Sequence, residues 1–182
     1  MKQALIFVIT TIAQLYLLVL LLRFWLPLVG ADFRNPIAQG ILKLTSPLVI
    51  PLRRVIPPIG RIDTATVIIA FAIQYLVILV VLVIYGMTPT ILPIAITAVL
   101  DLVLLTLRLY TFAIFILVIL SWVAPGTYNP ATAFIAMLVE PVLRPVRRII
   151  PSMGGLDLSP MAAIIALMAL SILIGDYRPI PI

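Results

Sequence analysis

Cysteine and histidine are both missing from the 182 residues, which excludes thiol nucleophiles, disulfides, Cys or His metal sites and any side chain that titrates near neutral pH unperturbed. Charge is scarce too: 10% of residues are Asp, Glu, Lys or Arg, against about 25% in a soluble domain. Glu140 is the one glutamate, and the six carboxylates are spread along the chain with no obvious acid–base pair. These absences predict a chain that is not an enzyme and carries no cofactor or metal. What is abundant is apolar: 64% of the residues are hydrophobic and mean hydropathy is +1.33. Water is not the main solvent of such a chain.

Four apolar stretches are long enough, or nearly so, for the ~20 residues that cross ~30 Å of hydrocarbon as a helix. They run over about 4–28, 64–85, 96–123 and 158–174, the last being the shortest. The stretch Gly86-Met87-Thr88-Pro89 reads as a tight turn after the second. The first stretch is too long for the h-region of a cleaved signal peptide, so it is expected to be retained. Arg34, Lys43, Arg53, Arg54 and Arg61 follow the first span, and Arg144, Arg147 and Arg148 follow the third, whereas Gly86 to Pro93 holds no basic residue. The positive-inside rule then makes both basic loops cytoplasmic and both termini external, with Lys2 and Arg178 mildly opposed. Trp25 and Trp122 fall near the expected inner boundary, Tyr85 and Tyr177 near the outer one. The formal charge of +6 is carried by arginines lying between apolar spans, which points to anionic headgroups and away from nucleic acid.

A shift equal to the distance from Asn35 to Asn129 aligns Asn35-Pro36 with Asn129-Pro130 and Leu15-Tyr16 with Leu109-Tyr110. It also lays Pro47, Pro51, Arg53, Arg54, Ile56, Pro57, Gly60 and Asp63 on Pro141, Pro145, Arg147, Arg148, Ile150, Pro151, Gly154 and Asp157. The chain therefore reads as a tandem duplication over 1–90 and 91–182, each unit being span, basic loop, span. An even number of crossings makes the units parallel, with a pseudo-two-fold axis along the membrane normal. The fold class expected is an all-α membrane protein of about four transmembrane helices.

Within each loop, Asn-Pro predicts the start of a helix, because Asn is a good N-cap and Pro is preorganised at the first helical position. The residue before a proline is pushed out of helical space, so both helices are expected to stop before Pro47 and Pro141 after about ten residues. Ile37, Ile41, Leu44 and Leu48 would form the apolar stripe of the first, lying in the interface. In the second, Ala133, Met137 and Leu138 correspond, widened by Phe134, Ile135 and Ala136. The proline pairs would then stiffen a non-helical connection holding Arg53-Arg54 and Arg147-Arg148 at phosphate height. Asp63 and Asp157 are placed to cap the following spans or to pair with these arginines. One reading gives the arginines only a topological and headgroup-anchoring role. The sharper one makes the two Pro-x-Arg-Arg-x-Ile-Pro motifs a docking surface for a protein partner or an anionic lipid.

Inside the spans, Asp101 and Arg108 lie two helical turns apart on one face, and Gln14 is opposite Arg108 in the repeat register. Either this group lines an aqueous cavity, or Asp101 sits at the outer interface with Arg108 snorkelling towards it. Arg23 is expected to snorkel as well, and Glu140 to pair with Arg144.

Leu22-Arg23-Phe24-Trp25, Asn35-Pro36 and Pro51-Leu52-Arg53-Arg54-Val55-Ile56-Pro57 with Gly60 and Asp63 resemble the YggT family of small bacterial membrane proteins. Pro145-Val146-Arg147-Arg148-Ile149-Ile150-Pro151 with Gly154 and Asp157 is similar to the family's second copy, although Ser121-Trp122 takes the place of an Arg-Phe-Trp. The resemblance covers nearly the whole chain. It implies a multi-pass protein of the bacterial cytoplasmic (inner) membrane without catalytic activity, in a family associated with cell division, envelope organisation, osmotic stress and, in plastids, cytochrome b6 assembly. The function expected is a scaffold or assembly factor that meets membrane lipid and an unidentified membrane or cytoplasmic partner, and forms homo-oligomers in one version. The alternative is an ion or solute transporter or channel component, for which the spans offer a thin polar lining of Gln74, Tyr16, Tyr75, Tyr110 and a few hydroxyls beside Asp101, Arg108 and Gln14.

Overall fold

A computed structural model describes residues 2–88, 90–123, 129–150 and 157–180. Pro89, Pro151 and Gly154 lie outside the described residues. Among the described residues six helices follow one another: α1 Lys2–Leu28, α2 Pro36–Arg53, α3 Thr64–Tyr85, α4 Ile91–Val123, α5 Pro130–Ile149 and α6 Ser159–Gly175. Three of them, α1, α3 and α4, are long and apolar enough to cross a membrane, and α6 is a shorter apolar helix of 17 residues. Large apolar side chains such as Phe7, Leu76, Phe112, Phe115 and Ile172 face outward from these helices. An apolar girdle of this extent is the surface a lipid-embedded protein presents.

The helix ends follow local chemistry. Asn35 Oδ1 accepts the Ile37 N–H at 2.9 Å and Asn129 Oδ1 accepts that of Ala131 at 3.0 Å, each with proline at the first helical position. Gly86, at φ +75°, ends α3 in the left-handed region while Met87 N–H reaches back to Leu82 O at 3.0 Å.

The prolines overturn one expectation. Instead of stopping before Pro47 and Pro141, α2 runs for 18 residues through Pro47 and Pro51, and α5 for 20 through Pro141 and Pro145. All four prolines are exposed, so the carbonyls they leave without donors lie on the outer face of the helix. The inner face packs continuously through Ala38, Ile41, Thr45 and Val49 in α2 and through Phe134, Leu138, Val139 and Leu143 in α5. Tertiary packing of one stripe thus outweighs the local penalty. It also rotates the buried stripe away from Leu44 and Leu48, which are exposed.

Leu17 and Leu20 of α1 meet Val49 of α2 and Ala65 and Ala70 of α3, and Ile114 of α4 meets Leu138, Leu143 and Ala163 of α5 and α6. Between these two clusters, Leu26, Ala38 and Ile41 pack against Phe134. Trp25 meets Tyr110 edge-on with ring centroids 5.1 Å apart, so it serves internal packing, whereas Trp122 is exposed. Asn35 Nδ2 donates to Pro130 O at 2.8 Å, tying the starts of α2 and α5 together.

Candidate functional site

The C-terminal ends of α2 and α5 each carry an Arg-Arg pair, followed by an aspartate at the start of the next helix. In the first, the chain after α2 makes a tight turn in which Ile59 and Ile62 exchange backbone hydrogen bonds across Gly60, at φ +61°. That turn delivers Asp63 to Arg53, whose Nη2 donates to Asp63 Oδ2 at 3.0 Å. Arg23, from the last turns of α1, donates from Nε to the same oxygen at 3.4 Å. Its Nη1 donates to Thr45 Oγ1 at 2.8 Å, to Ser46 Oγ at 3.3 Å and to Leu42 O at 3.5 Å, while Thr45 itself donates to Ile41 O. Arg23 and Asp63 are buried at 4% and 3% exposure. Arg23 therefore does not snorkel; it is satisfied inside the protein, at the junction of α1, α2 and α3.

The second cluster keeps the arginine–aspartate pair and changes the third member. Arg147 Nε donates to Asp157 Oδ2 at 3.0 Å and its Nη1 donates to Glu140 Oε2 at 3.1 Å. Glu140 thus pairs with Arg147 and not with Arg144: the two lie on one helix face two turns apart, and Arg147 is already fixed by Asp157. Glu140 stands where the first unit has Ser46, and in the ungapped register Leu117 stands where it has Arg23. Two guanidinium groups share one carboxylate in the first cluster, and two carboxylates share one guanidinium in the second. The first cluster is closed to solvent at Asp63; the second is open.

Asp157 also accepts the Ser159 hydroxyl and, at 3.0 Å, the Ser159 N–H at the start of α6. The Ser159 hydroxyl and then the Ser159 N–H and Arg147 hold the Asp157 carboxyl below its ordinary value of 3.8 against the opposing effect of burial. The stabilisation from this carboxylate is complete above that ordinary value and is lost as pH falls through the lower folded one. Ser159→Ala should move the Asp157 titration upward, read from carboxyl carbon shifts in detergent-solubilised protein. An unmoved titration would contradict the assignment.

Arg54 and Arg148 differ from their neighbours: both are exposed, and neither has an ion-pair partner among the described residues. Each Arg-Arg pair thus joins an anchored member to a presented one.

At the opposite end of the molecule, α1, α3, α4 and the segment after α6 line a partly open cavity of about 580 Å³. Gln14, Gln74, Asp101, Arg108 and Arg178 line it. Asp101 does not pair with Arg108. Its Oδ1 accepts from Arg178 Nη1 at 3.0 Å and its Oδ2 from Gln74 Nε2 at 2.8 Å. Arg178 lies 77 residues further along the chain, and nothing in local spacing links the two. Gln14 and Arg108 are exposed to the cavity and share no hydrogen bond among the described residues. No group of three or more carboxylates with metal-binding geometry occurs among the described residues.

The CCB3/YggT family profile matches residues 2–84 and again 96–177. An uncharacterised protein of Pseudomonas aeruginosa is 43% identical over 176 residues, covering 96% of this chain and 89% of that protein. The uncharacterised protein YggT of Escherichia coli K12 is 37% identical over 175 residues, covering 96% and 90%. An uncharacterised protein encoded in the proC 3' region of Vibrio alginolyticus is 40% identical over 172 residues, covering 93% and 92%. No solved structure matches. With a profile match over most of its length and relatives of this identity along nearly all of it, the chain belongs to the CCB3/YggT family.

Proposed function

We propose that this protein is a non-enzymatic membrane scaffold or assembly factor, whose two Arg-Arg helix ends dock an acidic protein surface or anionic headgroups. The observation that carries this reading is the division of labour within each pair. Arg53 and Arg147 are tied to Asp63 and Asp157, whereas Arg54 and Arg148 point outward with nothing on them among the described residues. A topological signal needs only positive charge. An anchored arginine beside a presented one fixes the position of that charge, which is what recognition of a carboxylate or phosphate requires. In this reading residues 1–90 and 91–182 are parallel repeats, α6 completes a fourth crossing, and the basic ends face the cytoplasm from the bacterial inner membrane. The two-fold appearance of the family profile and the repeated order of apolar helix, helix with two internal prolines and apolar helix support it.

The test replaces Arg54 and Arg148 together with glutamine, leaving the anchored arginines in place. At about 1 kcal/mol for each basic residue near an anionic surface, binding should fall about 30-fold. Flotation with phosphatidylglycerol vesicles reads the lipid arm, and photo-crosslinking from the neighbouring positions 55 and 149 in living cells reads the protein arm. Undiminished binding in both arms would end the docking reading. A second reading, an ion or solute transporter or channel component serving osmotic adaptation, draws on the polar cavity around Asp101 and Arg108. Ion flux in proteoliposomes that Arg108→Leu abolishes would put it in first place.

A further inference from the structure

The cavity remote from the basic helices holds an unbalanced charge, and its position on α4 makes that costly. Arg108 has 17 residues of α4 before it and 15 after it, which places it about 25 Å from the start of the helix and nearly as far from its end. A guanidinium at mid-membrane depth requires a counter-charge or water. The nearest carboxylate by sequence is already engaged at both oxygens, by Arg178 and by Gln74. Among the described residues the lining therefore carries two guanidinium groups against one carboxylate, and the surplus resides on Arg108. A cation is the wrong occupant, because the single carboxylate is spent. The donors without a partner among the described residues are the Arg108 fork and the exposed Gln14 amide. At about 580 Å³ the cavity falls within the roughly 300–1,000 Å³ typical of small-ligand sites.

We propose that this cavity is a binding site for one phosphate-class oxyanion, held by Arg108 with Gln14 beside the Arg178–Asp101 pair. The oxyanion is either the phosphate of a lipid headgroup drawn in between the helices or a free inorganic anion; the donor chemistry is the same. This site is separate from the Arg-Arg ends of α2 and α5 and stands whether or not those dock a partner.

The full-length protein, purified and delipidated in dodecyl maltoside, is titrated with inorganic phosphate by calorimetry. In parallel it is exposed to phosphatidylglycerol, and retained lipid is counted by native mass spectrometry. Arg108→Gln should weaken whichever ligand binds at least 10-fold, and Arg108→Lys, which keeps the charge but loses the fork, about 3-fold. Saturable phosphate binding that Arg108→Gln abolishes supports a free anion. Lipid retention that falls in Arg108→Gln, with no saturable phosphate binding, supports a headgroup. Should Arg108→Gln not purify as a monodisperse species, Arg108→Lys and Gln14→Leu decide by the same titrations. Binding of both ligands unchanged by every soluble variant overturns the site.

Discussion

Asp63→Ala should destabilise the protein by about 3–5 kcal/mol, because it strips the shared carboxylate from two guanidinium groups, one of them buried. Arg23 would keep Thr45, Ser46 and Leu42 O as acceptors, but all three are neutral and its charge would be uncompensated. Pairing Asp63→Asn with Arg23→Met should recover much of the loss, since replacing both partners of a buried pair removes the desolvation penalty along with the attraction. The equivalent change in the second unit, Asp157→Ala, should cost no more than about 1 kcal/mol, because the Arg147 pair is substantially exposed. Thermal and denaturant unfolding of the detergent-solubilised variants measures all three. Equal losses at Asp63 and Asp157 would show that the difference in burial does not govern stability.

Pro47→Ala and Pro51→Ala should raise stability, by up to about 3 kcal/mol each, because both prolines lie inside a helix and each denies a backbone donor to the carbonyl four residues earlier. The exposed positions of both rings mean that little packing is lost on truncation. A stiff, non-helical connector gives the opposite sign, since removing proline from it would loosen the unfolded and folded chain alike. Circular dichroism at 222 nm and melting temperature separate the outcomes. A fall in stability would place the function of these prolines in the native backbone path.

Much of the architecture is legible in the sequence because lipid exposure leaves a plain record. Long apolar runs give α1, α3 and α4, and Asn-Pro gives the starts of α2 and α5. The length of α2 and α5 was hidden because the rule against a helical residue before proline is local, whereas the packing of Val49 and Leu143 is not. The charge pairs were hidden for a similar reason. Arg23 meets Asp63 across 40 residues and Arg178 meets Asp101 across 77. Spacing within one helix suggests Arg144 for Glu140, but Arg147 on the next turn is its partner, and Asp101 draws Gln74 and Arg178 from other parts of the fold. The motif Leu22-Arg23-Phe24-Trp25 did carry a signal, an arginine set within an otherwise apolar run, but its partner could be found only in three dimensions.

The exchange of Ser46 for Glu140 and of Arg23 for Leu117 has a consequence for assembly. The first cluster sums to a single positive charge and the second to a single negative charge, so that beside the presented Arg54 and Arg148 the first helix end is net positive and the second balanced. Two copies that bring their first ends together juxtapose like charge, whereas a contact of first end with second end does not. An acidic partner lying across both arginine ends therefore meets unequal charge at its two sides, which favours one sense of docking over the other.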